Sequence, residues 1–238
     1  QEARNIQYSN DRSKYSSDEE FSNFRAVNIG KLKKNFLYRS ASPCDITFNR
    51  AGYVDGLIKN AGIKCILDLA DNEEKIKKFI SKSDFASPYF LDLYENKNVI
   101  LCGMSANFYS ETFRKKLISG LNAMSAHKGP FLINCLEGKD RTGFVCILIS
   151  MLAGASYEEI LNDYMISFAN YYGITSESDN KKYNNIITQL FTPMIKEIIQ
   201  DENVDAKNAD LVSYAEKFLL ASGMNEAELN NFKSCILE

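Results

Sequence analysis

The chain has 238 residues, of which 45% are hydrophobic and 25% charged, a balance that allows a buried core and excludes wholesale disorder. With 28 Lys and Arg against 31 Asp and Glu and a formal charge of -3, it has no basic block dense enough to track a nucleic-acid backbone or an anionic membrane surface. A single histidine, His127, removes most His-based metal sites and Ser-His-Asp triads, so chemistry falls to cysteines, carboxylates and arginines.

Residues Gln1 to Glu20 are rich in Ser, Asn, Asp, Arg and Lys without apolar period, and are expected as a mobile or surface-draped arm, with order beginning near Phe21. Short apolar runs at Phe36 to Ser40, Lys64 to Leu69, Tyr89 to Leu93, Val99 to Cys102 and Phe131 to Cys135 predict strands. Between them, Arg50 to Asn60, Asn72 to Ser81 and Glu111 to Ala126 predict helices. That alternation implies an α/β fold with a largely parallel central sheet, whose ligand crevice lies at the carboxyl ends of its strands.

Beyond Thr142 the pattern turns helical: Thr142 to Ala153, a capping-box start at Ser156 for a run to Tyr172, then Lys181 to Ile199, Asp210 to Ala221 and Glu226 to Ile236. Pro193 is expected to bend the Lys181 helix or to start a second one. With no repeat and no long linker, residues 21–238 read as one domain, an α/β core over 21–155 carrying a helical C-terminal extension over 156–238. The longest apolar run, Phe144 to Ala153, is too short to cross a membrane. Six dispersed cysteines, Cys44, Cys65, Cys102, Cys135, Cys146 and Cys235, form no disulfide-scaffold pattern. The start at Gln1 leads to the expectation of a removed leader and an exported protein, secreted, periplasmic or surface-anchored, with a cytoplasmic location as the alternative.

One stretch carries chemistry. Phe131 to Asn134 is an apolar strand, Cys135-Leu136-Glu137-Gly138-Lys139-Asp140 a polar loop, and Arg141-Thr142-Gly143 opens an apolar helix. A loop of backbone N–H groups closing onto a helix N-terminus cradles an anion, and an arginine fork grips two of its oxygens. The same field favours a thiolate at Cys135, a nucleophile facing bound phosphorus. A bare Cys-x5-Arg spacing favours an inert strand-end cysteine; Gly138, the Thr142-Gly143 pair and the apolar strand and helix on either side turn the choice to phosphate chemistry.

The loop resembles the signature of the cysteine-dependent protein tyrosine phosphatases, and its Gly138-Lys139-Asp140-Arg141-Thr142 form is similar to the bacterial tyrosine and lipid phosphatase branch. Asn23-Phe24-Arg25, Leu37-Tyr38-Arg39-Ser40, Ile66-Leu67-Asp68-Leu69, Asp163-Tyr164-Met165 and Asn170-Tyr171-Tyr172 resemble further segments of that branch, in family order. The resemblance implies the phosphatase fold and a metal-free, cofactor-free, two-step dephosphorylation of a phosphorylated protein or phosphoinositide, possible dual specificity included. Cys135 attacks, Arg141 and the amides of Leu136, Glu137, Gly138 and Lys139 hold the phosphoryl oxygens, and water releases phosphate. It also implies Asp140 as the acid, and Thr142 as a further phosphate-site residue that donates to the sulfur, or else a helix cap; Asp68 and Asp71, at a predicted strand end, and Asp92 compete with Asp140.

Two positions depart from the branch: Asn134 stands where histidine is usual, and Ala70 where arginine is common. A neutral Asn134 implies slower turnover, and a phosphate-binding pseudophosphatase is the alternative reading, with an inositol phosphate phosphatase as another. A rhodanese-like sulfur transferase is disfavoured by the Arg-Thr-Gly ending. Phosphotyrosine-type monoesters lead, because the loop is weakly basic. Lys31, Lys33, Lys34 and Arg39 are the cations that could enrich its rim, or simply a solvated face. His127 reads as a surface residue, and Tyr164, Phe168, Tyr171 and Tyr172 as packing.

Overall fold

The computed structural model describes residue 3 and residues 5–238. Within the N-terminal stretch, Arg12–Lys14 makes a 3-10 turn and α1 (Asp18–Ser22) starts on a Ser17 cap. The sheet holds β1 (Arg25–Ala26), β2 (Leu37–Ser40), β3 (Cys65–Asp68), β4 (Val99–Leu101) and β5 (Phe131–Asn134) in the order β1-β2-β5-β3-β4. Only the β1–β2 pair is antiparallel. β5 is therefore central, and register aligns its last residue, Asn134, with Ser40 on one side and Asp68 on the other. Three carboxyl-terminal strand ends meet at one level, where an α/β sheet places its ligand crevice.

Strands buried on both faces alternate between two cores. Cys65, Leu67, Phe131 and Ile133 join one core, and Ile66 and Leu132 the other. The second core is covered by α2 (Ala51–Asn60), α3 (Glu73–Ser81) and α4 (Pro88–Glu95). The first is covered by α5 (Glu111–Ser125) and α6 (Arg141–Leu152). Every residue of α6 from Thr142 to Leu152 is buried, and a helix apolar all round needs neighbours on every side. Those neighbours are α7 (Tyr157–Tyr172), α9 (Thr192–Ile199) and α10 (Leu211–Ala221), which is why the chain continues as helices. α8 (Asn180–Ile186) and α11 (Glu226–Ile236) complete the set. Among the described residues no helix is long and apolar enough to cross a membrane.

One expectation is corrected, and one of two alternatives is settled. Tyr89–Leu93 is not a strand but the body of α4, since Pro88 sits in its first turn and the Asp55 carboxylate accepts the amides of Tyr89 (3.1 Å) and Phe90 (2.7 Å). The Lys181 to Ile199 run passes through a π turn over Ile187–Phe191, after which α9 begins with Pro193 in its first turn, the second of the two outcomes expected of that proline.

Candidate active site

β5 delivers the chain at Asn134 into the loop Cys135 to Asp140, which closes on the N-terminus of α6. Cys135 is 3% exposed. Gly138 makes the turn with φ +68°, and a Cβ there would lie 2.2 Å from the Ser40 carbonyl oxygen, so only glycine fits.

Donors outside the loop take its carbonyls. The Ser42 amide donates to Leu136 O (3.0 Å), the Tyr171 hydroxyl to Glu137 O (2.6 Å), Asn23 Nδ2 to Glu137 O and Gly138 O, and Arg39 Nη2 to Gly138 O (2.9 Å). In a planar trans peptide the N–H points opposite to the C=O, so outward carbonyls turn the following amides inward. None of the amides of Leu136, Glu137, Gly138, Lys139 and Asp140 donates to another described residue. Asp140 occupies the N-cap position of α6 without a side-chain capping bond, so the helix end is also open to an anion.

The support behind the loop is ionic. Asp163 on α7 accepts from Arg25 Nε (3.1 Å) and Arg39 Nη1 (2.9 Å). Burial alone would raise the Asp163 pKa, but the two guanidinium charges and their hydrogen bonds outweigh it and hold the carboxyl below the usual aspartate range. Arg25, buried and beside Arg39, is lowered to about 10. Gly143 lies 3.0 Å, measured from an added Cβ, from the Tyr164 ring, so α6 and α7 approach closely where the loop ends.

Arg141 donates Nη1–H to Met104 O (3.0 Å) and lines a cavity of about 250 Å3 with Ser42, Asp71 and Leu136. Glu137, Lys139 and Asp140 line a second cavity of about 340 Å3 on the other flank. Lys139 Nζ donates to the Tyr172 hydroxyl (2.8 Å) and lies over the Phe168 and Tyr172 rings. Burial acts to lower its pKa, while Asp140, Glu137 and Tyr172 outweigh it and raise it. Thr142 Oγ1 is buried without a hydrogen-bond partner among the described residues, as is Asn134 Oδ1. Asn134 Nδ2 donates to Cys135 O (3.2 Å).

Of the competing carboxylates, Asp92 accepts from Asn96 on the exposed side of α4 and lines neither cavity. Asp68 is fully buried, and Oδ1 accepts the amides of Ala70 and Asp71. Burial first, then the charge and hydrogen bond of Asp71, push its carboxyl well above the usual range. Cys44, Asp68 and Asp71 are the one metal-ligand type group among the described residues, all buried, with ligand atoms within 4.8 Å of one another. Cys44 Sγ donates to Asp71 Oδ2 (3.7 Å), and burial with the two aspartates pushes its thiol up.

The cations named for the rim are elsewhere. Arg39 is fully buried behind the loop, and Lys33 Nζ donates to Ser234 O and Cys235 O. Tyr171 and Tyr172 do more than pack, since their hydroxyls hold Glu137 and Lys139. Sequence reading passed over that role because the partners lie more than thirty residues away, at separations of 34 and 33. The His127 ring nitrogens lie against the Ala123 carbonyl (2.7 Å) and the Lys97 carbonyl (3.1 Å), away from the loop. A family model described as the tyrosine phosphatase family matches residues 19–238 of the chain, and no curated protein matches it.

Proposed function

This chain belongs to the tyrosine phosphatase family, and from that membership we propose that it hydrolyses phosphotyrosine-type monoesters through a phosphocysteine on Cys135. The observation that carries the reading is the ring of inward, unshared amides between Cys135 and Arg141. In the first step the Cys135 thiolate attacks phosphorus, the bond from phosphorus to the leaving oxygen breaks, and Asp140 gives that oxygen its proton. In the second, water attacks phosphorus and yields a proton to the Asp140 carboxylate, the sulfur–phosphorus bond breaks, and the thiolate returns. The loop amides and Arg141 hold the three remaining oxygens in both steps. The free carboxylate of Asp140, at the N-cap yet uncommitted to capping, supports its role as the acid.

Monoesters are favoured over multiply phosphorylated inositols because the cations near the loop are already engaged. Arg39 serves Asp163 and Gly138 O, and Lys139 is held by Tyr172 beside the carboxylates of Glu137 and Asp140. One observation favours a second reading, a phosphate-binding pseudophosphatase: Asn134, neutral and buried before the nucleophile. The deciding experiment is hydrolysis of p-nitrophenyl phosphate with reductant and chelator, comparing the parent with Cys135→Ser. Turnover lost by at least about a thousandfold in the variant, with tungstate binding kept, is the expected result. A folded parent that binds tungstate without turnover would establish the second reading.

A further inference from the structure

The mechanism above leaves unused the polypeptide that precedes α1, although it lies against the loop. Glu137, the second residue after the nucleophile, is held at both ends. Its carbonyl accepts from Tyr171 and Asn23, and its Oε2 accepts the Tyr8 hydroxyl at 2.6 Å. The Tyr8 ring packs against Tyr171 at 4.7 Å and Tyr172 at 5.6 Å between centroids. Tyr8 and Asn10 share the walls of the 340 Å3 cavity with Glu137, Lys139 and Asp140.

The segment is anchored by Arg50 at the start of α2. Its guanidinium donates to Ser9 O, Asn10 Oδ1, the Tyr15 hydroxyl, Phe21 O and Phe48 O, which uses all five of its donors. Its Cζ also lies 4.1 Å from the Phe21 centroid and 5.2 Å from that of Tyr8.

We propose that Tyr8 is a positioning residue for the phosphoryl site: it fastens the Glu137 carboxylate toward the N-terminal segment and so keeps that negative charge off the incoming dianion. The inference rests on the phosphatase reading. Two carboxylates stand in the loop, and only Asp140 has a use in proton transfer. A loose carboxylate at Glu137 repels ground state and transition state alike, so its release weakens substrate binding and leaves the chemical step alone. Burial, then the bond to Glu137 and its charge, raise the Tyr8 pKa, so the hydroxyl keeps its proton and remains a donor across the working pH range.

The test is a cycle of Tyr8→Phe, Glu137→Gln and the double variant. The readouts are kcat and KM for p-nitrophenyl phosphate, and the affinity for inorganic phosphate measured by calorimetry. Tyr8→Phe is expected to raise KM and weaken phosphate binding about fivefold with kcat within about twofold. Glu137→Gln is expected to lower KM, and in its background Tyr8→Phe should have no further effect. Unchanged phosphate affinity in Tyr8→Phe would overturn the inference, as would a loss that persists after Glu137→Gln, which would make Tyr8 a packing residue. The calorimetric arm separates the two failures: a parent that binds phosphate without turnover ends the hydrolytic reading while the Tyr8–Glu137 coupling is still measured. A parent that binds no phosphate overturns both.

Discussion

Gly138 concentrates the geometry of the site in one residue. Its left-handed φ lets the chain turn back so that its own carbonyl meets Arg39 and Asn23, and no side-chain atom comes between the loop and Ser40. In Gly138→Ala the new methyl must displace backbone atoms 2.2 and 2.3 Å away, so the loop moves and its inward-turned amides move with it. An Å-scale misplacement costs about a hundredfold in rate, while the left-handed conformation costs about 1–2 kcal/mol. Steady-state kinetics on Gly138→Ala should therefore show kcat/KM lower by about a hundredfold, and denaturant unfolding a stability loss of at least about 1–2 kcal/mol, to which the overlap with Ser40 adds. A variant with parental kcat/KM would show that the loop tolerates the shift.

At the scale of elements, α7 is the helix that holds the loop from behind. Asp163, Ser167 and Tyr171 follow at spacings of four, one face of a helix, and reach Arg25 and Arg39, Asn23, and Glu137 O respectively. Removing Asp163 leaves two buried guanidinium groups without their anion, a change worth about 3–5 kcal/mol. Asp163→Ala should lose that much by urea unfolding, and a loss below about 1 kcal/mol would mean that the arginines find other partners. The strand, loop and helix around Cys135 were legible because periodicity and Gly138 are local signals. Arg39 and Asp163 were visible only as letters of separate segments, since they meet across a separation of 124 residues. α4 was misread for the same kind of reason: its cap comes from Asp55, on another helix. Arg50 read as a helix start because nothing local reveals five acceptors drawn from three segments.

Over the whole molecule, two buried aspartates pull stability in opposite directions with pH. Asp163, held below the ordinary value near 3.9, contributes stability that is full above that value and lost as pH falls through its lower folded value. Asp68, raised, contributes stability present below about pH 4 and progressively lost as pH rises toward its folded value. Asp68→Asn keeps an oxygen for the amides of Ala70 and Asp71 and cannot ionise. Its unfolding free energy relative to the parent should grow between pH 5 and pH 8; a constant difference would place the titration elsewhere. The hub at Arg50 has a consequence of another kind. Because one guanidinium joins Ser9, Asn10, Tyr15, Phe21 and Phe48, the N-terminal segment does not fray residue by residue. Hydrogen exchange should therefore find the amides of this segment protected together and released together, as one cooperative unit beside the Cys135 loop; independent protection along the segment would show that the hub does not couple them.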